Sequence, residues 1–321
     1  MTGTDPIPRF HGGEQVSAKA RSIGIMSITP FNRDGEVDED ELRRHLNRFT
    51  PHDVSVYVCS QGSGEGLSLS LDEKELVYRV AVATLGGLRE VVGAGVGLTG
   101  DTGTALEQVE RLSATGVDAI QVFPPRTGAL RPRDREIEQY FDEVMAVARC
   151  PVVVGENVAL VGYEMGPRLV HRIVKGSDAV TGLSYTSAGS LGQLAEMVGT
   201  LGGRVQIRSG LLHHLVNMAA LGGAGLLCFD GNVAPGLLAA TWTAANQGSA
   251  DLPVLWKSVI SLNSLLSRYG NPASIKAALE HLGLPAGRLR RPLLGLDRAE
   301  VEELSAALDR LVADQHLGRW L

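Results

Sequence analysis

Short apolar runs rich in β-branched residues alternate along this chain with stretches whose apolar positions recur every three or four residues. Ile23 to Phe31 reads as a strand that ends at Pro30. A helix follows, with Asp38 as N-cap, Glu41 at its third position, and Leu42, Leu46 and Phe49 as its apolar stripe. The same unit then returns. Val54 to Cys59 is a strand, a glycine-rich turn follows, and Ser70-Leu-Asp-Glu73 has the form of a capping box opening a helix through Leu76, Val77 and Val80. Val91 to Val96 precedes a helix carrying Leu106, Val109 and Leu112, and Ala119 to Phe123 precedes one carrying Ile137, Phe141 and Val144. Pro151 to Val154 precedes Leu169, Val170 and Ile173, and Asp178 to Tyr185 precedes Leu191, Leu194 and Met197. Val205 to Arg208 precedes a helix over Leu211 to Leu221, and Gly225 to Phe229 precedes one over Leu237 to Ala245.

Eight strand–helix units in succession predict an α/β fold, a (β/α)8 TIM barrel over residues 21–248. A doubly wound open sheet normally carries a glycine fingerprint after its first strand, and this chain has none there. Residues 1–20 read as a flexible extension. After Gln247-Gly-Ser-Ala-Asp251 the strand pattern stops. Leu252–Tyr269, Ala273–Leu282 and Arg298–Val312 predict a C-terminal three-helix region over 249–321, packed on the barrel or on a neighbouring subunit. Barrel active sites form at the C-terminal ends of the strands. The tip of the sixth strand, Ser184-Tyr185, is therefore expected at the centre of the mouth.

Composition removes several classes. The net charge is −6 with no basic face evident, which argues against a nucleic-acid partner. No apolar run is long enough to span a bilayer, and the first twenty residues lack an apolar signal core, so a cytoplasmic protein without a membrane partner is expected. Cys59, Cys150 and Cys228 are far apart and set in apolar stretches, and they read as buried free thiols. No metal-ligand spacing occurs, and the His213-His214 pair reads as helix surface. No cofactor is implied.

Several segments resemble the dihydrodipicolinate synthase / N-acetylneuraminate lyase family of pyruvate-type aldolases. Thr29-Pro-Phe-Asn-Arg-Asp-Gly-Glu-Val-Asp38 resembles that family's opening segment "TPF…dG.vD". Gly62-Ser-Gly-Glu65 resembles its "GTTGE". Leu221-Gly-Gly-Ala-Gly225 followed by Asn232-Val-Ala-Pro235 resembles "lGadG…NVaP", and Asn271-Pro272, Lys276 and Arg291-Pro-Leu293 resemble the C-terminal "NP…K…R.PL". The likeness runs from Ile23 to the C-terminus. It implies a TIM barrel, a C-terminal helical domain, a small carboxylate or 2-oxo acid as substrate, and a homo-oligomer, tetramer or dimer.

The family's catalytic positions are the ones that differ. The resemblance places its Schiff-base lysine, in "GiKeasG", at Ser184. Its acid–base tyrosine, in "YNVP", falls at Glu156 of Glu156-Asn-Val-Ala159, or at Gly155 after a one-residue slide. The paired threonines become Gly62-Ser63, and "PYY" becomes Pro124-Pro125-Arg126. A serine hydroxyl cannot form an iminium. None of Lys19, Lys74, Lys175, Lys257 and Lys276 falls at a strand's C-terminal end.

One reading is a site rebuilt for non-covalent proton transfer next to a carbonyl: a lyase, dehydratase, isomerase or cyclase. Glu156 would be its acid or base and Ser184 its hydrogen-bond donor to the developing oxyanion. The amides of Gly62, Ser63 and Gly64 would receive a carboxylate, and Arg126 and Arg208 would clamp it. Asn157, Tyr185 and Asn232 would complete the binding wall. The other reading is a non-catalytic homologue that serves as a binding or regulatory subunit.

Overall fold

The computed structural model describes residues 22–186, 191–315 and 317–320, so the extension expected over 1–20 lies outside the described residues. Eight strands close in sequence order into a barrel: β1 Ile23–Met26, β2 Val54–Val58, β3 Val91–Val96, β4 Ala119–Val122, β5 Val152–Glu156, β6 Val180–Tyr185, β7 Gln206–Ser209 and β8 Gly225–Cys228. All neighbours run parallel, and β8 returns to β1 through the pair Gly24–Leu227. The helices between them are α1 Glu39–Asn47, α2 Leu71–Leu85, α3 Thr102–Ser113, α4 Asp134–Val147, the four-residue α5 Val158–Val161, α6 Pro167–Gly176, α7 Leu191–Leu201 and α8 Leu215–Leu221. After β8 come α9 Pro235–Gln247, α10 Leu252–Tyr269, α11 Ala273–His281 and α12 Arg298–Gln315.

The helix starts follow local chemistry. The Asp38 carboxylate accepts from the Glu41 amide at 3.0 Å. Ser70 and Glu73 exchange side-chain and backbone bonds of 3.2 and 2.9 Å, a closed capping box that satisfies two otherwise orphaned amides. Several elements differ from the sequence pattern: β5 runs on to Glu156, and the short α5 is not predicted by it. β1 ends at Met26 because the Ile28 amide turns away from the sheet to the Asn232 side chain, at 3.0 Å. The helix expected from Leu211 opens as a 3-10 turn over Leu212–His214 before α8.

Side chains alternate across each strand. Val56, Val122, Val154 and Leu183 face outward into the large core shared with the helices. Tyr57, Val92, Ala94, Ala119, Val153 and Leu227 meet inside the barrel, with Met26 against them. The interior is thus filled by side chains.

The C-terminal region is fastened to the barrel by polar groups. Lys276 Nζ donates to Glu65 Oε1 at 2.6 Å, to the Thr29 carbonyl at 2.8 Å and to the Arg288 carbonyl at 2.6 Å. Arg290 reaches both carboxylate oxygens of Glu73, at 2.5 and 2.8 Å. All three cysteines are buried and unpaired. No helix among the described residues is long and apolar enough to cross a membrane.

Candidate active site

Ser184 lies on β6 opposite Gly155 of β5 and Arg208 of β7. It is 1% exposed, and its Oγ has no hydrogen-bond partner. It faces the Tyr57 hydroxyl closely enough to influence its acidity without forming a well-shaped bond. Burial pushes the Tyr57 hydroxyl up, while the Arg208 charge and the polar contacts of Arg208 and Ser184 pull it back.

Arg208 points into the barrel, but its guanidinium does not reach the mouth. Nη1 donates to the Tyr57 hydroxyl at 3.2 Å, and Nη2 donates to Ser55 Oγ at 3.1 Å and to Glu90 at 2.9 Å. Nε donates to the Ser22 carbonyl at 3.4 Å. Ser22, Ser55 and Glu90 stand at or before the N-terminal ends of their strands, so the guanidinium is held toward the closed end of the barrel. Burial works against its charge, yet Tyr57 and Glu90 outweigh burial and raise its pKa. The expected carboxylate clamp of Arg126 and Arg208 therefore does not form. Arg126 is exposed on the loop after β4, at the mouth end, and its backbone amide binds the Thr99 carbonyl at 3.1 Å.

The fifth strand brings a second correction. The residue that shares a face with Ser184 is Gly155, not Glu156. A Cβ on Gly155 would stand 2.6 Å from the Phe123 ring, so Phe123 fills the volume that a side chain there would take. Glu156 pairs with Tyr185 instead. Tyr185 runs outward to Gln193 of α7, with its hydroxyl 3.5 Å from Oε1, and Glu156 shares that helix-side face. Burial, and then the neighbouring Glu156 charge, push the Tyr185 hydroxyl up to about 12. Asn157 caps α5, accepting from the Ala159 and Leu160 amides at 3.0 and 3.3 Å.

The glycine turn after β2 is wound on itself. The Gly64 amide binds Ser60 Oγ at 3.1 Å, and the Glu65 and Gly66 amides bind the Gly62 and Ser60 carbonyls at 3.0 Å each. A Cβ on Gly66 would lie 2.1 Å from the Cys59 carbonyl oxygen, so close backbone packing explains this glycine without a ligand. Ser63 is fully buried, and its Oγ accepts from Asn271 of the C-terminal region at 3.0 Å. Gly62 lies exposed beside that contact. Of the three amides expected to form an anion nest at Gly62, Ser63 and Gly64, that of Gly64 is spent on the turn itself.

Asn232 is also committed. Its Oδ1 meets the Ile28 amide and His45 Nε2 at 3.0 Å, and its Nδ2 donates to the Met26 and Phe229 carbonyls at 2.8 and 2.7 Å. Burial and the Arg48 charge hold His45 down to about 3, so it is neutral. Asn232 stitches β1, β8 and α1 together rather than facing a ligand.

The two buried amines are occupied. Lys74 Nζ donates to the Gly95 carbonyl at 2.9 Å from the helix side, and Lys276 is spent on Glu65 and two carbonyls. Lys175 and Lys257 are exposed on α6 and α10, and Lys19 lies outside the described residues.

One residue that the sequence pattern did not single out stands at the mouth. Asp230 follows β8 in a 3-10 turn, is 1% exposed, and accepts from Asn263 Nδ2 of α10 at 3.0 Å through Oδ1. Its Oδ2 is buried with no partner. Burial pushes the carboxyl up to about 7 against the pull of that hydrogen bond. It lines a cavity of about 260 Å³ together with Met26, Leu227, His213 and Asn263. The only signal in the sequence was a lone acidic residue closing an apolar strand.

His213 is exposed, while His214 is buried and binds Ser209 Oγ at 2.9 Å. The pair is therefore not plain helix surface. A larger cleft, of about 970 Å³, lies outside the barrel between the β1–α1 loop, α11 and the segment after it, away from Ser184.

Comparison with known proteins agrees with this architecture. The profile of the dihydrodipicolinate synthetase family matches residues 19–311. A 4-hydroxy-tetrahydrodipicolinate synthase of Xanthomonas axonopodis pv. citri is 30% identical over 288 residues, covering 89% of this chain and 91% of the relative. One from Moorella thermoacetica is 29% identical over 284 residues, covering 88% and 94%. The crystal structure of dihydrodipicolinate synthase from Aquifex aeolicus superposes with a TM-score of 0.82 at 22% identity, covering 91% of this chain and 97% of that one, a likeness of fold. The barrel, its C-terminal helices and the matched length together place the chain in the dihydrodipicolinate synthetase family.

Proposed function

We propose that this chain, with its barrel over 21–248 and helical region over 249–321, is a cytoplasmic, homo-oligomeric lyase-type member of its family that works without an iminium. Its substrate would be a small 2-oxo acid or related carboxylate. The reaction would be proton transfer next to the carbonyl. The observation that carries this reading is the Ser184 hydroxyl, buried and unpartnered where the resemblance places the family's lysine. A buried hydroxyl without a partner costs about 1–3 kcal/mol, and a substrate carbonyl oxygen at Ser184 would recover that cost. The Tyr57 hydroxyl beside it is a second donor for developing negative charge. Arg126, exposed at the mouth end, supplies a cation for the substrate carboxylate. Glu156, beside Tyr185 rather than Ser184, is a weaker candidate for the proton-transfer group than its sequence position suggests.

Borohydride reduction in the presence of pyruvate and a panel of 2-oxo acids is expected to leave the intact mass unchanged, with an active family aldolase as positive control. A lysine adduct would overturn the reading. With the same 2-oxo acids in heavy water and no borohydride, the protein should exchange the C3 protons of a bound 2-oxo acid, and Ser184→Ala should slow that exchange by about 10²-fold or more.

A second reading, a binding or regulatory subunit, is favoured by one feature. The inward position of β5 is Gly155 under the Phe123 ring, which leaves no acid–base group there. Ligand binding without any exchange would select it.

A further inference from the structure

The cavity at Asp230 is lined by neither Ser184 nor Tyr57 and has different chemistry. Asp230, 1% exposed, lines it, with one carboxylate oxygen bound to Asn263 and the other without a partner. Its walls include Met26, Leu211, Leu227 and Phe229, and its rim includes His213, Ile260 and Ser267, which are exposed to solvent. Among the described residues, no lysine or arginine lines it. At about 30 Å³ per water in the liquid, its volume of about 260 Å³ would hold a small organic molecule. The position is at the C-terminal end of β8, the end where barrels place their ligands.

We propose that this cavity binds a small aliphatic ammonium compound, with Asp230 as the counter-charge and Asn263 holding the carboxylate in place. An ammonium donor completes the unpartnered oxygen, and the apolar walls take a short aliphatic chain. An anionic ligand has no cation to meet there, so a carboxylate is excluded by charge. A buried carboxylate oxygen kept without a partner is a cost to the fold, and a charge partner that arrives with the ligand would remove it.

Besides Asp230, the ionisable groups that line the cavity are His213 on the rim and Cys228 on β8, while α10 contributes the neutral Asn263 and Ser267. Burial alone holds the carboxyl up near neutral pH. An arriving ammonium therefore displaces a proton at pH 6.

The test is calorimetric titration of the full chain with n-butylammonium, 1-butanol and butyrate, at pH 6 in two buffers of different ionisation enthalpy. Butylammonium should bind at least tenfold more tightly than butanol and release a proton, and butyrate should not bind. Asp230→Asn should abolish the preference for the ammonium. Ile260→Trp, which fills the exposed rim without touching Asp230, should weaken every ligand alike. Absence of butylammonium binding, equal binding of butyrate, or an unchanged preference in Asp230→Asn would each overturn the proposal.

Discussion

Lys276→Met is expected to lower the unfolding free energy by about 3–5 kcal/mol. The substitution leaves the Glu65 carboxylate, with a side chain 1% exposed, in the interior without its counter-charge. It also removes the donor from the carbonyls of Thr29 and Arg288. The pair is not a gain over an apolar contact, since burial outweighs Glu65 and holds Lys276 down to about 8. The loss comes from orphaning the partner, because an isolated buried charge is far more costly than a paired one. Lys276→Met combined with Glu65→Gln should therefore recover a good part of the stability. Urea unfolding midpoints of the three chains decide it, and a loss below about 1 kcal/mol in the single variant would show that water or backbone motion satisfies Glu65 instead.

Asp230→Asn carries the second large effect, and its sign depends on pH. The carboxyl sits near 7 in the fold, against about 3.9 in an unfolded chain. Between those values the folded chain holds a proton that the unfolded chain releases. Wild-type stability from this group is thus full below about pH 4, falls as pH rises through that window and levels off above 7. Asparagine has the shape of the neutral acid and does not titrate. The variant should match the wild type at pH 4 and exceed it by about 4 kcal/mol at pH 8, from roughly 1.4 kcal/mol per unit over three units. Comparing the two chains at both pH values cancels the other carboxylates. Equal stability at pH 8 would mean that Asp230 is solvated or paired in solution.

The barrel was legible because its evidence is periodic and local. Runs such as Val91–Val96 and caps such as Ser70 with Glu73 are set by a few neighbouring residues. The site was less legible because side-chain direction depends on register. A slide of one residue separates Gly155 from Glu156, and only the pairing of Gly155 with Ser184 shows which faces the interior. Arg208 looked like a mouth residue from its place near a strand end, and a long side chain carried its charge the other way to Glu90. Asp230 carries no mark in the sequence, because nothing in its neighbours reveals burial. Its environment comes from Asn263, thirty-three positions away.

The packing of Phe123 against Gly155 also constrains how this lineage can change. With a Cβ at 155 placed 2.6 Å from the ring, no side chain can be accepted there until Phe123 becomes smaller or moves. Phe123 in turn has no reason to shrink while 155 is glycine, since the exchange would open a hole. Placing a side chain at 155 therefore needs ordered steps through a less stable intermediate. The barrel interior at this point is thus locked by packing, and a single substitution at 155 should meet the same barrier in the laboratory.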